Sequence, residues 1–231
     1  MQHRTYRGKV LYIGDTVGER GREWFTVSVL GDGARTMRAM CEIEDTNVLR
    51  DVTYTVDRAW RPLDAFVRLT VKDSFLGSGW FRFGEGLAEC ETYTVGAGRI
   101  SQQITTQGWA PSFGAHPVAC DIWHLPRFDH RAGPGLKVIP GVLMSSLLPN
   151  GASGPMLEYY PGGGLPIRFY GREHVTVPAG TFDTLHFAFE RAGRPPQHCW
   201  CLADDYIIVK IYSELLKTTY QLVEFNDDRP S

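Results

Sequence analysis

The chain lacks a dominant charge sign. Its 24 Lys and Arg stand against 26 Asp and Glu, interleaved to a net charge of −2. No Lys/Arg-rich run and no acidic tail occurs, so the footprint of a nucleic-acid binder is missing. Long apolar runs are lacking as well, and no window approaches the roughly 18 apolar residues of a membrane-spanning helix. An export signal would carry an apolar core of about 7–15 residues near its start. The opening MQHRTYRGKVLYIG instead stays polar and charged through Lys9. A cytoplasmic chain without a membrane span is expected. Cysteines are few and odd in number, five in all, at Cys41, Cys90, Cys120, Cys199 and Cys201. That is no secreted disulfide framework. Cys41 and Cys90 fall in strand-like segments and read as small apolar core residues. Nucleotide signatures are missing too. GEGLAE, GAG and PGGG are turns, and no G-x-G-x-x-G links a strand to a helix. No G-x-S-x-G elbow occurs, and Ser145 and Ser146 lack a recognisable partner. No cofactor is expected.

What is present is alternation with period two. EWFTVSVL puts Phe25, Val27 and Val29 on one face, and RTMRAMCEI does the same for Met37, Ala39, Cys41 and Ile43. Similar segments recur along the chain, separated by turns such as GDG, FGEG and GAG. At 231 residues the chain suits one all-β domain, residues 1–231, built as an antiparallel barrel or half-barrel. Residues 107 to 155 break the rhythm. There, Val142 to Leu148 could form one or two helical turns between Pro140-Gly141 and Pro149-Gly151. A long, partly helical insertion of this kind is a lid, a plug, or a surface loop with its own packing.

Near the C-terminus, VTVPAGTFDTLHF precedes CWCLADDYIIVKIYSELLKTTYQLVEF. These segments resemble an uncharacterised bacterial all-β family, a domain of unknown function, with a V-P-A-G-T-F hairpin, a W-x-x-x-D strand and a final Y-x-L strand. The matching residues are Val177 to Phe182, Trp200 and Asp204, then Tyr220 and Leu222. The resemblance covers about the last quarter of the chain well and the first strands loosely. It implies an open or closed barrel, similar to lipocalins or lipoprotein-localisation factors, of the sort that holds apolar ligands. A few cytoplasmic relatives of that architecture act on small molecules without a cofactor. Typical members carry an export signal that this chain does not show, which weakens an envelope role by analogy.

Read physically, PAGT is a turn, with Pro178 fixing φ and Gly180 free to take a positive φ. Pairing Val177 with Phe182 sets Leu185 against His174, Phe187 against Arg172 and Phe189 against Tyr170. Tyr170, Arg172 and His174 would then share the core face and reach either a ligand or water at the barrel mouth. On the other face Glu173 would meet His186, as acid–base machinery or as an exposed ion pair.

The stretch GAHPVACDIWHLPRFDH, residues 114 to 130, concentrates His116, Cys120, Asp121, His124, Asp129 and His130. The histidine spacing fits no zinc motif, and Cys199-Trp200-Cys201 puts two thiols on one strand face without a second C-x-x-C pair. No metal is expected. The stretch reads instead as a pocket rim or a solvated loop. As a rim, His116, Asp121, His124 and His174 supply proton transfer, and Trp109, Phe113, Trp123 and Tyr170 form an aromatic wall. Arg127 or Arg172 holds an anionic or carbonyl oxygen. The expected function is a cofactor-independent enzyme of isomerase, lyase, hydratase or cyclase type, acting on a small hydrophobic or aromatic molecule. The alternatives are a non-catalytic carrier of a lipophilic ligand and a structural partner protein. Oligomeric state is left open, a homodimer included.

Overall fold

The computed structural model describes residues 3–146 and 155–228. Seven strands run in sequence: β1 (Arg4–Gly14), β2 (Gly18–Val29), β3 (Arg35–Ile43), β4 (Val48–Val56), β5 (Pro62–Val71), β6 (Ser74–Thr94) and β7 (Gly98–Trp109). After β8 (Phe113–Gly114) come a short helix α1 (Val118–Asp121) and two 3-10 turns, Ile122–Arg127 and His130–Ala132. The short strands β9 (Gly135–Ile139), β10 (Leu143–Met144) and β11 (Glu158–Tyr159) follow. A second meander closes the chain: β12 (Leu165–Val177), β13 (Gly180–Arg191), β14 (Arg194–Cys201), β15 (Ile208–Ser213) and β16 (Thr218–Asp228). No helix among the described residues is long and apolar enough to cross a membrane.

Thirteen strands make one antiparallel sheet, ordered β7-β6-β5-β4-β3-β2-β1-β16-β15-β14-β13-β12-β9. The first and last long strands pair at its middle, Val10 opposite Leu222 and Tyr12 opposite Tyr220. β7 and β9 are the two edges and do not pair with each other. The sheet is therefore an open half-barrel and not a closed barrel. Alternation behaves as the residues dictate: Met37, Ala39 and Cys41 of β3 are buried while Arg38 and Met40 face out.

The connection between the two edges runs through the interior. Phe113, Ala115, Val118, Cys120, Ile122, Trp123 and Leu125 are all buried and join the same core as the inward faces of the sheet. The insertion is a plug, and its helical part lies at Val118–Arg127. Over the described part of the stretch expected to be helical, Val142 to Ser146, no helical turn forms. Up to Ser146 this stretch is extended, because Leu143 N–H bonds Ser112 O and Ser145 N–H bonds Gly114 O, pairing β10 beside β8. Leu147 and Leu148 lie outside the described residues.

The β12–β13 hairpin also differs from expectation. Val177 pairs with Gly180, leaving a two-residue Pro178-Ala179 turn, so Leu185 opposes Arg172, Phe187 opposes Phe169 and Phe189 opposes Ile167. A bulge at Tyr170 accompanies Gly171, whose φ of +131° an L side chain rarely adopts. The buried residues at this end are Leu165, Ile167 and Phe169, and Tyr170 is turned outward. At the other end of the sheet β6 bends back on itself. Thr92 Oγ1 bonds Ser78 O at 3.2 Å, and a Cβ on Gly79 would sit 2.4 Å from Thr92 Oγ1. Glycine is required there for close approach.

Candidate functional site

Two polar places stand out, one open and one buried. The open one is a groove of about 550 Å³ at one end of the trough, lined by His130, Arg131, Phe169, Gly171, Arg172, Ala203 and Asp204. A second hollow of about 280 Å³ shares Arg172, Ala203 and Asp204 and continues to Arg4 and Asp183. The bulge at Gly171 and the β14–β15 loop form its walls. That loop is pinned by buried Asp205, which accepts from Tyr6 Oη at 2.6 Å and Arg35 Nε at 2.8 Å. Tyr206 follows at φ 48° and packs edge-on against Trp60. Its hydroxyl lies 3.2 Å from His130 Nδ1. Burial, helped by the charges of Arg131 and Arg172, lowers the His130 pKa and favours a neutral imidazole. Arg172 Nη1 bonds Asp183 at 3.0 Å in the open.

The buried place lies under the plug. Glu23, wholly inaccessible, accepts from Tyr12 Oη at 2.7 Å, Val118 N at 2.8 Å, Ala119 N at 3.0 Å and Cys41 Sγ at 3.4 Å. It ties the sheet to the start of α1. Burial raises its pKa and these donors hold it down. Arg50, opposite Cys41 on β4, is 2% exposed, and its Nε and Nη2 have no hydrogen-bond partner. Asp121 is pushed up to about 7 by burial and by the Glu23 charge, against Arg50 and the main-chain N–H of His116. His116 has φ 76° and lies with Nε2 2.7 Å from Ser146 O. Burial and Arg50 lower its pKa to about 3.

Of the residues singled out by sequence, His116 and Asp121 thus meet. His124 is elsewhere in the core, its Nδ1 2.8 Å from Ser112 Oγ and its pKa lowered to about 4 by burial. Phe113 and Trp123 are core, packed on Tyr54. Trp109 donates to Pro62 O at 2.8 Å under the Arg61 guanidinium, and Arg127 donates to Ala59 O at 2.8 Å. His174 is 80% exposed, 3.6 Å from Asp183. Tyr170 stacks on His186 on the outer face, where Glu173 Oε2 lies 3.2 Å from His186 Nδ1. Glu173 sits across from Thr184, and contacts His186 diagonally. Cys199 and Cys201 are buried side by side. Among the described residues no group of three His, Cys, Asp or Glu could hold a metal ion.

Glu23, Arg50 and Tyr206 were not singled out, and His130 was named only as a member of the histidine-rich stretch and given no role. The first two carried a signal: Glu23 shares the parity of Phe25 and Val27, and Arg50 that of Val52 and Tyr54. A charge at an inward position of an alternating strand marks a buried polar site.

An open all-β half-barrel with a buried plug and a polar end groove is thus the class of protein in hand. No protein-family model matches the chain. No curated protein matches it either. A solved structure does share the fold, a beta-barrel-like protein of domain of unknown function DUF1849 from Brucella abortus. The TM-score is 0.52 at 10% identity, covering 98% of both chains.

Proposed function

We propose that the protein binds a small molecule carrying an anionic group, seated in the end groove between Arg131 and Arg172. The observation that carries this reading is the groove itself: about 550 Å³ of open space whose lining holds two guanidinium groups, His130 and the apolar Phe169 against the one carboxylate of Asp204. Pockets that join apolar surface to a few convergent polar groups are the usual small-molecule sites. The trough, by contrast, is packed with plug side chains, which disfavours a lipophilic carrier of the lipocalin sort. Arginine suits a carboxylate or phosphate because its donors form a planar fork. Arg172 is already bonded to Asp183, so a ligand would share or displace that partner.

One observation favours a second reading, a cofactor-independent proton-transfer enzyme. Burial biases His130 toward the neutral imidazole, and its Nδ1 lies 3.2 Å from the Tyr206 hydroxyl. A neutral imidazole beside a phenol can take a proton from a bound substrate and pass on its own. In this reading the base is His130, and the His116–Asp121 pair within the plug takes no part.

A native mass spectrum of freshly purified protein, set against the denatured mass, reads any retained ligand. Titration with benzoate, followed by the His130 imidazole resonances, then tests the groove. A saturable shift is expected with benzoate and none with benzyl alcohol. Arg131→Gln and Arg172→Gln should each weaken benzoate by roughly tenfold or more, the loss of one hydrogen bond to a charged group. Equal response to the neutral alcohol, or full affinity in both variants, overturns the proposal.

A further inference from the structure

Among the described residues Arg50 is a deeply buried arginine that feels the Glu23 and Asp121 charges but hydrogen-bonds to neither. Buried charges are ordinarily paired or fully hydrogen-bonded, since an unpaired one is costly. Its Nε and Nη2 are both inaccessible and both without a partner. No carboxylate oxygen bonds it among the described residues. Glu23 is the nearest in role, but its oxygens are taken by Tyr12, Cys41 and the N–H groups of Val118 and Ala119. Asp121 accepts from the His116 main chain. The two orphan donors are not an arbitrary pair. Nε–H and Nη2–H project in parallel from one edge of the guanidinium, the edge that grips both oxygens of a carboxylate.

We propose that this edge of Arg50 is an internal site for a small carboxylate of formate or acetate size. The two oxygens would each accept one of the free N–H groups. Size is limited by the neighbours: Cys41, Leu69 and Cys120 are closed core residues. His116 and Asp121, which both feel the Arg50 charge, keep partial exposure and mark the side nearest solvent. His116 Nε2 faces Ser146 O and so carries the ring proton, leaving Nδ1 without one. The site is distinct from the end groove and does not depend on the function proposed there.

The test follows the arginine Nε–H resonances of the ¹⁵N-labelled protein. The Arg50 signal is assigned by its absence in Arg50→Lys, and its 2% exposure should make it slow to exchange with solvent. Sodium formate should shift it saturably, and bind at least tenfold more tightly than sodium bromide, a round anion that cannot bridge the fork. Arg50→Lys keeps the charge, loses the fork and should abolish the formate response. Should that variant not fold, the wild-type melting temperature decides: formate must raise it above an equal concentration of bromide. No shift with formate, or equal binding of bromide, overturns the proposal and leaves the fork to water.

Discussion

At the scale of single residues the interior is set by a few charges on strands that are otherwise apolar inside. Glu23 satisfies two N–H groups at the start of α1 that have no acceptor within the helix, as the first N–H groups of any helix do not. The carboxylate therefore does for the plug what a capping side chain does for a longer helix. Asp121 and the two buried histidines give this interior a pH signature whose sign can be worked out. Asp121 moves from an ordinary 3.8 to about 7. Its contribution to stability is full below the unfolded value and is lost as pH rises through 7. His116 and His124 move the other way, from 6.5 to about 3 and about 4. Their contribution is full above 6.5 and is lost as pH falls. Between about pH 4.5 and 6, unfolding takes up two protons at these histidines and releases one from Asp121, so acid destabilises by this trio. Asp121→Asn removes the opposing proton. The unfolding free energy should then fall more steeply on acidification, by about one proton or 1.4 kcal/mol per pH unit. Urea unfolding of both proteins across that window reads the difference; parallel slopes would show that Asp121 titrates normally in the fold.

At the scale of elements, the strands were legible and their joints were less so. Period-two alternation sufficed for β2 and β3 because one face of each is sealed by the core. The β12–β13 register was misread because V-P-A-G-T-F admits both a four-residue and a two-residue turn. Gly180 takes φ +140° as the first paired residue and not as a turn centre. The bulge at Tyr170 was hidden for a related reason, since one extra residue flips every later side chain. Gly171 permits that flip, and Arg172 reaches the groove because of it. The fold-back of β6 rests on a similar small-residue device. At Gly79 a methyl group would stand 2.4 Å from Thr92 Oγ1, which itself donates to Pro155 O at 2.5 Å. Gly79→Ala should therefore destabilise by about 1–3 kcal/mol, the usual cost of overpacking. In a domain of this size that lowers the melting temperature by roughly 3–10 °C. Gly86→Ala serves as a contrast, because it meets no atom within 4 Å and tests only its φ of +78°. A Gly79→Ala melt matching wild type would mean that the two halves of β6 part easily.

At the scale of the whole molecule, the half-barrel leaves its trough open between β7 and β9, and the chain fills it with its own insertion. The insertion's length was visible in the sequence, which left a lid, a plug and a surface loop open as its role. Residues 113 to 128 carry apolar side chains without a strand or helix period, because most of the plug is surrounded by core and only His116, Asp121, Pro126 and Arg127 keep partial exposure. Histidines and aspartates within it suggested a wet rim, yet His124 is inside and bonded to Ser112. A lid and a plug differ in how they open. A lid exposes little apolar surface when it moves, so its amides exchange through cheap local openings. Here, withdrawal of the plug would expose Phe113, Ile122, Trp123 and Leu125, and would strand the Glu23 carboxylate without two of its donors. Burying four such side chains is worth on the order of 6–12 kcal/mol, comparable to the whole stability of an ordinary domain. The plug should therefore not leave without the sheet unfolding. Native-state hydrogen exchange tests this directly. The hydrogen-bonded amides of Cys120 and Asp121, which donate to Pro117 O, should exchange with the same free energy and denaturant dependence as β1 and β16 at the centre of the sheet. Exchange through a cheaper, denaturant-insensitive opening would make the insertion a gate, and the space beneath it would then become the binding site in place of the end groove.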